Sequence, residues 1–372
     1  MNRVYLDNAA TTKIRPEVAE VMSSALFENY GNPSSVHREG QSAKKCLEDA
    51  RDSIAASFHC DPKEILFTSG GTESDNWAVK YGSRGGHIIT SCIEHPAVLL
   101  SFQTMEKHGF QVTYLPVDKY GLVSPKDLKD AISGDTTLVS VMMVNNEIGT
   151  IEPIAELSEI AHEQGVLFHT DAVQAAGQIP IDLSSLSVDM LSFSAHKFHG
   201  PKGVGGLFVR KDMKLLSMLS GGHQEFGYRA GTENLPGIAG MSKALELACE
   251  EMDETSSRIR SLKELMRSEL SRNIPNIIFH GATDRSHPGI LNFYIPGTDG
   301  EKTLLLLDLK GFACSAGAAC TSKADTVSHV ITSLGGSKDE SKNSIRVSIG
   351  RDNSEEEIKS FVSALCSILS AL

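Results

Sequence analysis

The sequence predicts an α/β fold, with a mostly parallel seven-stranded sheet covered by helices in a large domain and a smaller α/β domain after it. Three observations predict it. Short apolar runs alternate with helical patterns over the first 210 residues, which is the signature of a parallel sheet covered on both faces. At 372 residues the chain is long enough for two cores. Polar clusters stand repeatedly just after the apolar runs, where ligands bind in such sheets.

The elements follow in order. Residues 5–12, Tyr-Leu-Asp-Asn-Ala-Ala-Thr-Thr, are small and polar after a short apolar start. Pro16 opens a helix to about Phe27. Residues 31–37, Gly-Asn-Pro-Ser-Ser-Val-His, form a loop by composition. Residues 40–58 read as a helix with Ala43, Leu47, Ala50 and Ile54 on one face. Strands are expected at 64–68, 87–90, 112–115, 138–143, 166–170, 188–193 and 204–209, with helices from about Glu73 and over 97–107 and 154–163. From 235 to 273 the pattern is helical, as one long helix or two. The smaller unit reads as strand 290–294, helix 301–309, strand 312–314, helix 324–334, a polar loop over 335–343, strand 345–349 and a final helix from Ser354 to Leu372. We expect a large domain over 16–255 and a small domain built from 1–15 and 256–372.

Composition narrows the class. With 40% hydrophobic and 22% charged residues, this is an ordinary globular chain. A net charge of -12 argues against a nucleic-acid surface. The start lacks the apolar core of a signal peptide, and no apolar run is long enough to span a membrane. Seven scattered cysteines give no disulfide framework and fit a reducing cytoplasm.

The candidate chemistry centres on residues 192–203, Ser-Phe-Ser-Ala-His-Lys-Phe-His-Gly-Pro-Lys-Gly. Lys197 stands at a strand end, fixed on a rigid element beside a crevice. Desolvation there disfavours its charge, and a neutral lysine forms a Schiff base. Alone it would read as a surface lysine in a turn. Five strand-end segments bring Thr72, His95, Asn146, Asp171, Gln174, Ser194, His196 and Lys197 towards one crevice, which packing alone explains poorly.

Asp171 is the natural partner of Lys197. A carboxylate against the ring nitrogen of pyridoxal phosphate keeps that nitrogen protonated, so the ring becomes an electron sink. It also suits an N-cap for the residues after it, and both readings stand. Gln174 can reach the ring hydroxyl, and His95 can stack on the ring or shuttle protons. Strand, Ser69-Gly70-Gly71-Thr72 and helix start make an anion site, although a plain capped helix fits that stretch equally well. His196 and His199 lack a helix beneath them and further ligands, so no metal is expected.

Cys320 lies in Cys314-Ser315-Ala316-Gly317-Ala318-Ala319-Cys320-Thr321-Ser322, where every residue is small. Such a segment packs poorly and is expected to move. A cysteine there suits a nucleophile that collects a group and delivers it elsewhere, given a lowered pKa. Cys314 ends an apolar run and is expected to be packed. Arg346 alternates with apolar neighbours on its strand. Capture of a carboxylate and a solvent-facing position are both open to it.

The chain resembles the cysteine desulfurases of the NifS/IscS type, class V members of the fold-type I pyridoxal-phosphate enzymes. The matching stretches are YLDNAATT (5–12), GNPSSVH (31–37), FTSGGTESDN (67–76), EHPAV (94–98), VNNEIG (144–149), HTDAVQ (169–174), SFSAHKFHGPKG (192–203), RAGTEN (229–234), ACTS (319–322) and SIRVSIGR (344–351).

The resemblance implies that Lys197 carries pyridoxal 5'-phosphate as a Schiff base, with Asp171 on the pyridine nitrogen, Gln174 on the ring oxygen and His95 stacked on the ring. It implies phosphate and cofactor contacts from Gly71, Thr72, Ser194 and His196, and from Thr232 of a second subunit, hence a homodimer. Asn146 would lie near cofactor and substrate, Asn32 and Arg346 would hold the substrate carboxylate, and Cys320 would form a persulfide. The implied reaction takes sulfur from L-cysteine, leaves L-alanine and passes the sulfur to an acceptor protein for iron–sulfur cluster assembly or other thiolation.

Two departures stand out. The longer IscS members carry a C-terminal extension that contacts the scaffold protein, and this chain ends at Leu372. Cys314 stands where IscS members show serine, as a filler or a second thiol for relay. The rivals are a selenocysteine lyase, a class V aminotransferase or a catalytically silent sulfur carrier. A Rossmann dehydrogenase is more distant, because its glycine fingerprint is missing.

Overall fold

A computed structural model describes residues 3–211, 213, 215–317 and 327–371. Its centre is a seven-stranded sheet in the order Ile65–Thr68, Gly205–Val209, Met190–Ser194, Leu167–Asp171, Thr136–Ser140, His87–Ser91 and Gln111–Leu115. Gly205–Val209 runs against both its neighbours. The other pairings are parallel. The strands therefore read as continuous apolar runs, because helices cover both faces.

Alternation along the strands divides the side chains between two cores. Phe67, Ile89, Val139, Phe168, Leu191 and Phe208 enter one, against helices Arg38–Phe58 and Leu235–Glu250. Leu66, Ile88, Leu138, Met190 and Leu207 enter the other, against helices Gly71–Gly82 and Pro96–Lys107.

A third core belongs to the second unit. An antiparallel sheet in the order Ser315–Ala316, Ile345–Ser348, Ile290–Tyr294 and Ile278–His280 packs on helices Met252–Asn273 and Glu355–Leu369. Ile259, Met266, Phe293, Val347 and Phe361 fill the interface, and Val4 and Leu6 from the start of the chain join them. Strand Val4–Tyr5 pairs in parallel with Phe312–Ala313. The chain thus begins in the second unit and crosses into the first.

The helical stretch 235–273 is two helices, broken at Glu251, where φ −95° and ψ 3° leave the helical region. The polar loop expected over 335–343 contains a helix, Lys338–Asn343, started by Ser337, whose side chain accepts from the Glu340 N–H. Its polar residues give no apolar period by which to read it. Helix Pro125–Ala131 and strand Ile278–His280 were also not expected from the pattern. Of the helix expected over 324–334, residues 327–334 are described, and the helix there is His329–Ser333.

Candidate active site

Six strands of the central sheet point the same way, and a cavity of about 350 Å³ lies at their carboxyl ends. Thr72, His95, Asn146, Asp171, Gln174, Ser194, His196 and Lys197 line it, together with Gly71 and Arg346. All eight residues expected from separate strand ends therefore meet. Asn32 and Thr232 do not line it. Asn32 is exposed in a turn, its side chain accepting from the Ser34 N–H at 2.9 Å. Thr232 is exposed on the segment after Arg229. Cys320 lies outside the described residues.

Helix Gly71–Gly82 starts at the cavity wall. Its N-cap, Gly70, has φ 150° and ψ 178°, a backbone region open essentially to glycine. At Gly71 a Cβ would lie 2.5 Å from Val173 Cγ2. With no side chain on Gly70 or Gly71, the start of the helix, at the positive end of its dipole, is left open beside the cavity. With Thr72, Ser194 and His196 beside them, this end suits a phosphate.

Lys197 ends the short turn Ala195–Lys197 directly after strand Met190–Ser194. Its Nζ donates to the carbonyls of Ala9 and Ala10, at 2.5 and 2.9 Å. The Ala9 carbonyl also accepts from Gln174 Nε2 at 2.8 Å. His196 Nδ1 is 3.1 Å from Thr11 Oγ1, and the His199 N–H donates to Thr12 Oγ1 at 2.7 Å. Residues 7–12 thus lie as a strap across the lysine turn. In this arrangement His196 and His199 are held by chain atoms of the strap.

Asp171 is the last residue of its strand and is buried. Burial pushes its carboxyl up to about 6, opposed by the Val173 N–H and by the Lys197 charge. Oδ1 accepts that N–H at 2.8 Å. The residues after it form turns, so this bond closes an Asx turn and caps no helix. Behind Asp171, Ser140 Oγ and Ser192 Oγ hold His169 at 2.8 and 3.0 Å, and burial keeps that imidazole neutral, with a pKa near 3.

His95 is the N-cap of helix Pro96–Lys107. Its Nδ1 accepts from the Ala97 N–H at 3.1 Å, which leaves the hydrogen on Nε2. Burial first, and Lys197 second, lower its pKa to about 4. It is therefore a neutral imidazole at pH 7, both helix cap and cavity wall.

Sequence reasoning missed three residues. Asp75, one helical turn beyond Thr72, lines the cavity, and its Oδ1 finds no hydrogen-bond partner among the described residues. The i, i+3 spacing was the available signal. Glu94 is buried beside His95, and burial raises its pKa strongly. Asp7 pairs with Arg346, Oδ1 to Nη2, at 2.9 Å.

A ring with an anionic phosphate and a basic nitrogen fits this cavity. The glycine-flanked helix start suits the anion, the buried Asp171 suits the nitrogen, and Lys197 lines the same cavity.

Comparisons with known proteins agree with this chemistry. The family model for aminotransferase class-V matches residues 4–361. Cysteine desulfurase IscS of Dictyoglomus turgidum is 46% identical over 374 residues, covering 99% of this chain and 95% of that protein. A solved NifS-like protein superposes with a TM-score of 0.94 at 38% identity, over 100% of both chains. Another solved structure, described as SspA in complex with cysteine, has a TM-score of 0.82 at 33% identity and covers 94% of this chain and 99% of that one. Members of this family use pyridoxal phosphate. The chain belongs to the aminotransferase class-V family and, within it, to the cysteine desulfurases.

Proposed function

We propose that this cysteine desulfurase holds pyridoxal phosphate covalently through Lys197 and delivers the sulfur of L-cysteine to Cys320. The observation that carries this reading is the meeting of Lys197, Asp171, His95 and Arg346 around one cavity. When bound, the cofactor supplies an electron sink for a carbanion beside the substrate's amine. The protein's residues do the rest. Asp171 keeps the ring nitrogen protonated, Gln174 meets the ring oxygen, and His95 covers the ring face. Gly71, Thr72, Ser194 and His196 hold the phosphate end, completed by Thr232 of a second subunit in a homodimer. Arg346, with Asn32 and Asn146, holds the substrate carboxylate.

Freed when the substrate's amine takes its place, Lys197 Nζ takes the proton from the substrate's α-carbon. The Cys320 thiolate then bonds to the substrate sulfur. The carbon–sulfur bond breaks and its electron pair stays with the β-carbon. One proton returns to the β-carbon and one to the α-carbon, which completes L-alanine, Lys197 giving back the proton it took and the ionising substrate thiol supplying the other. The sulfur leaves as a Cys320 persulfide for an acceptor protein, in cluster assembly or another thiolation. The separate cores of residues 18–245 and of 4–6 with 259–368 support a division into a large domain, 16–255, and a small one, 1–15 with 256–372. Among the described residues no helix is long and apolar enough to cross a membrane. The scattered cysteines, none of them disulfide-bonded among the described residues, favour a cytoplasmic protein.

The test is a visible spectrum of the purified holoenzyme before and after L-cysteine, with sulfide and alanine quantified. A cofactor band that shifts and yields matched sulfide and alanine is expected. Cys320→Ala should keep the band and lose at least about 100-fold of the sulfide. Retained turnover in Cys320→Ala would point to an aminotransferase, and a band without sulfide would point to another substrate.

A further inference from the structure

Arg346 is almost wholly buried, at 1% exposure. A guanidinium stays charged in any surroundings, so it must be paired there. Among the described residues, Asp7 is the one carboxylate in ion-pair contact with it, through Nη2 at 2.9 Å. Glu147 also faces Arg346, and burial raises the pKa of both acids, but the Glu147 carboxylate accepts from Ser328 Oγ at 2.6 Å while Asp7 accepts from Arg346 itself. On the other terminal nitrogen, Nη1 donates to the Asn146 carbonyl at 2.9 Å. Two chain segments far apart in sequence therefore pin the two ends of one planar fork.

We propose that Asp7 is a positioning residue for the substrate, orienting Arg346 so that its fork meets the α-carboxylate. This rests on the reading of Arg346 as the carboxylate-binding residue. A bidentate pair needs the plane of the guanidinium as well as its charge. With only the Asn146 carbonyl left, the group pivots about that single bond. Asp7 is held in turn, since Tyr5 Oη donates to its carbonyl and the strap beyond it carries the Ala9 and Ala10 carbonyls that receive Lys197 Nζ. One short segment thus sets both the carboxylate fork and the amine end of the site.

The opposite role is also physically open. Asp7 lies where it could compete with a substrate carboxylate for Arg346, and the two roles differ in sign. The experiment uses holoenzyme of wild type, Asp7→Ala and Asp7→Asn. L-alanine binding is read from the perturbation of the bound cofactor's absorbance, and KM and kcat are measured for L-cysteine.

Asp7→Ala should weaken L-alanine binding and raise KM by at least about tenfold, with kcat changed far less, as expected for lost uniform binding. Asp7→Asn keeps an acceptor for Nη2 and should restore most of the loss. Unchanged or tighter binding in Asp7→Ala would overturn the proposal. So would an Asp7→Asn variant as impaired as Asp7→Ala while both melt like wild type. If wild type yields no sulfide, the desulfurase reading fails instead, and the L-alanine arm still reports on Arg346.

Discussion

Cys314 shows how surroundings decide what a side chain can do. Burial, with Asp7 and Asp308 adding negative charge, pushes its thiol up to about 12. At neutral pH it holds almost no thiolate, and the thiolate is the species that attacks sulfur. Cys314→Ser should keep sulfide and alanine production within about twofold of wild type, measured in the same assay as Cys320→Ala. That outcome makes Cys314 a packing residue, while a large loss would make it a relay thiol. Lys197 and Asp171 were legible in the sequence because each ends an apolar run at the carboxyl edge of a parallel sheet. Asp7 was not, because its partner lies 339 residues away, and no local period reports such a contact.

At the scale of elements, helix Arg38–Phe58 is locked to the segment around Glu225. Arg51 Nη1 and Nη2 reach the Glu225 carboxylate at 2.9 and 2.7 Å, and the Phe67 N–H donates to the same carboxylate at 2.8 Å. Glu225 and Phe226 adopt φ 45° and 57° to make this contact. The guanidinium carbon sits 4.4 Å from the centre of the Phe67 ring. Removing one partner strands a buried charge. Arg51→Ala should lose about 3–5 kcal/mol in denaturant unfolding, and a loss below about 1 kcal/mol would show the pair to be dispensable. Elements read best from sequence where an apolar face gave the period, as in Arg38–Phe58, or where a proline marked the start, as in Pro16–Phe27. Lys338–Asn343 was hidden because its residues are polar and its order comes from a serine cap.

Over the whole molecule, burial moves the acids and the histidines in opposite directions. His95, His169, His196 and His287 are held neutral, with pKa values near 4, 3, 4 and 3. Their contribution to stability is complete above the ordinary imidazole range and is lost as pH falls from there to about 3–4. Buried carboxyls act with the opposite sign, so individual groups are best read in variants. Glu152 is pushed up to about 8 by burial, against an ordinary value near 4.3. The folded state keeps a proton that the unfolded chain has lost, so stability falls as pH rises between those values. Glu152→Gln should therefore gain on wild type by up to about 1.4 kcal/mol per pH unit from pH 5 to 8. A pH-independent difference in unfolding free energy would contradict the burial argument.

The strap of residues 7–12 also imposes a timetable on synthesis. Asp7 leaves the ribosome 339 residues ahead of Arg346. At ordinary rates of elongation that gap lasts roughly 20–70 s. Strand Val4–Tyr5 likewise waits for Phe312–Ala313. The large sheet and the contacts of Lys197 with Ala9 and Ala10 need only the chain up to Val209, whereas the Asp7–Arg346 pair waits for the later segment. On the function proposed above, a chain made only as far as the large sheet therefore still lacks the pair that orients the substrate's carboxylate.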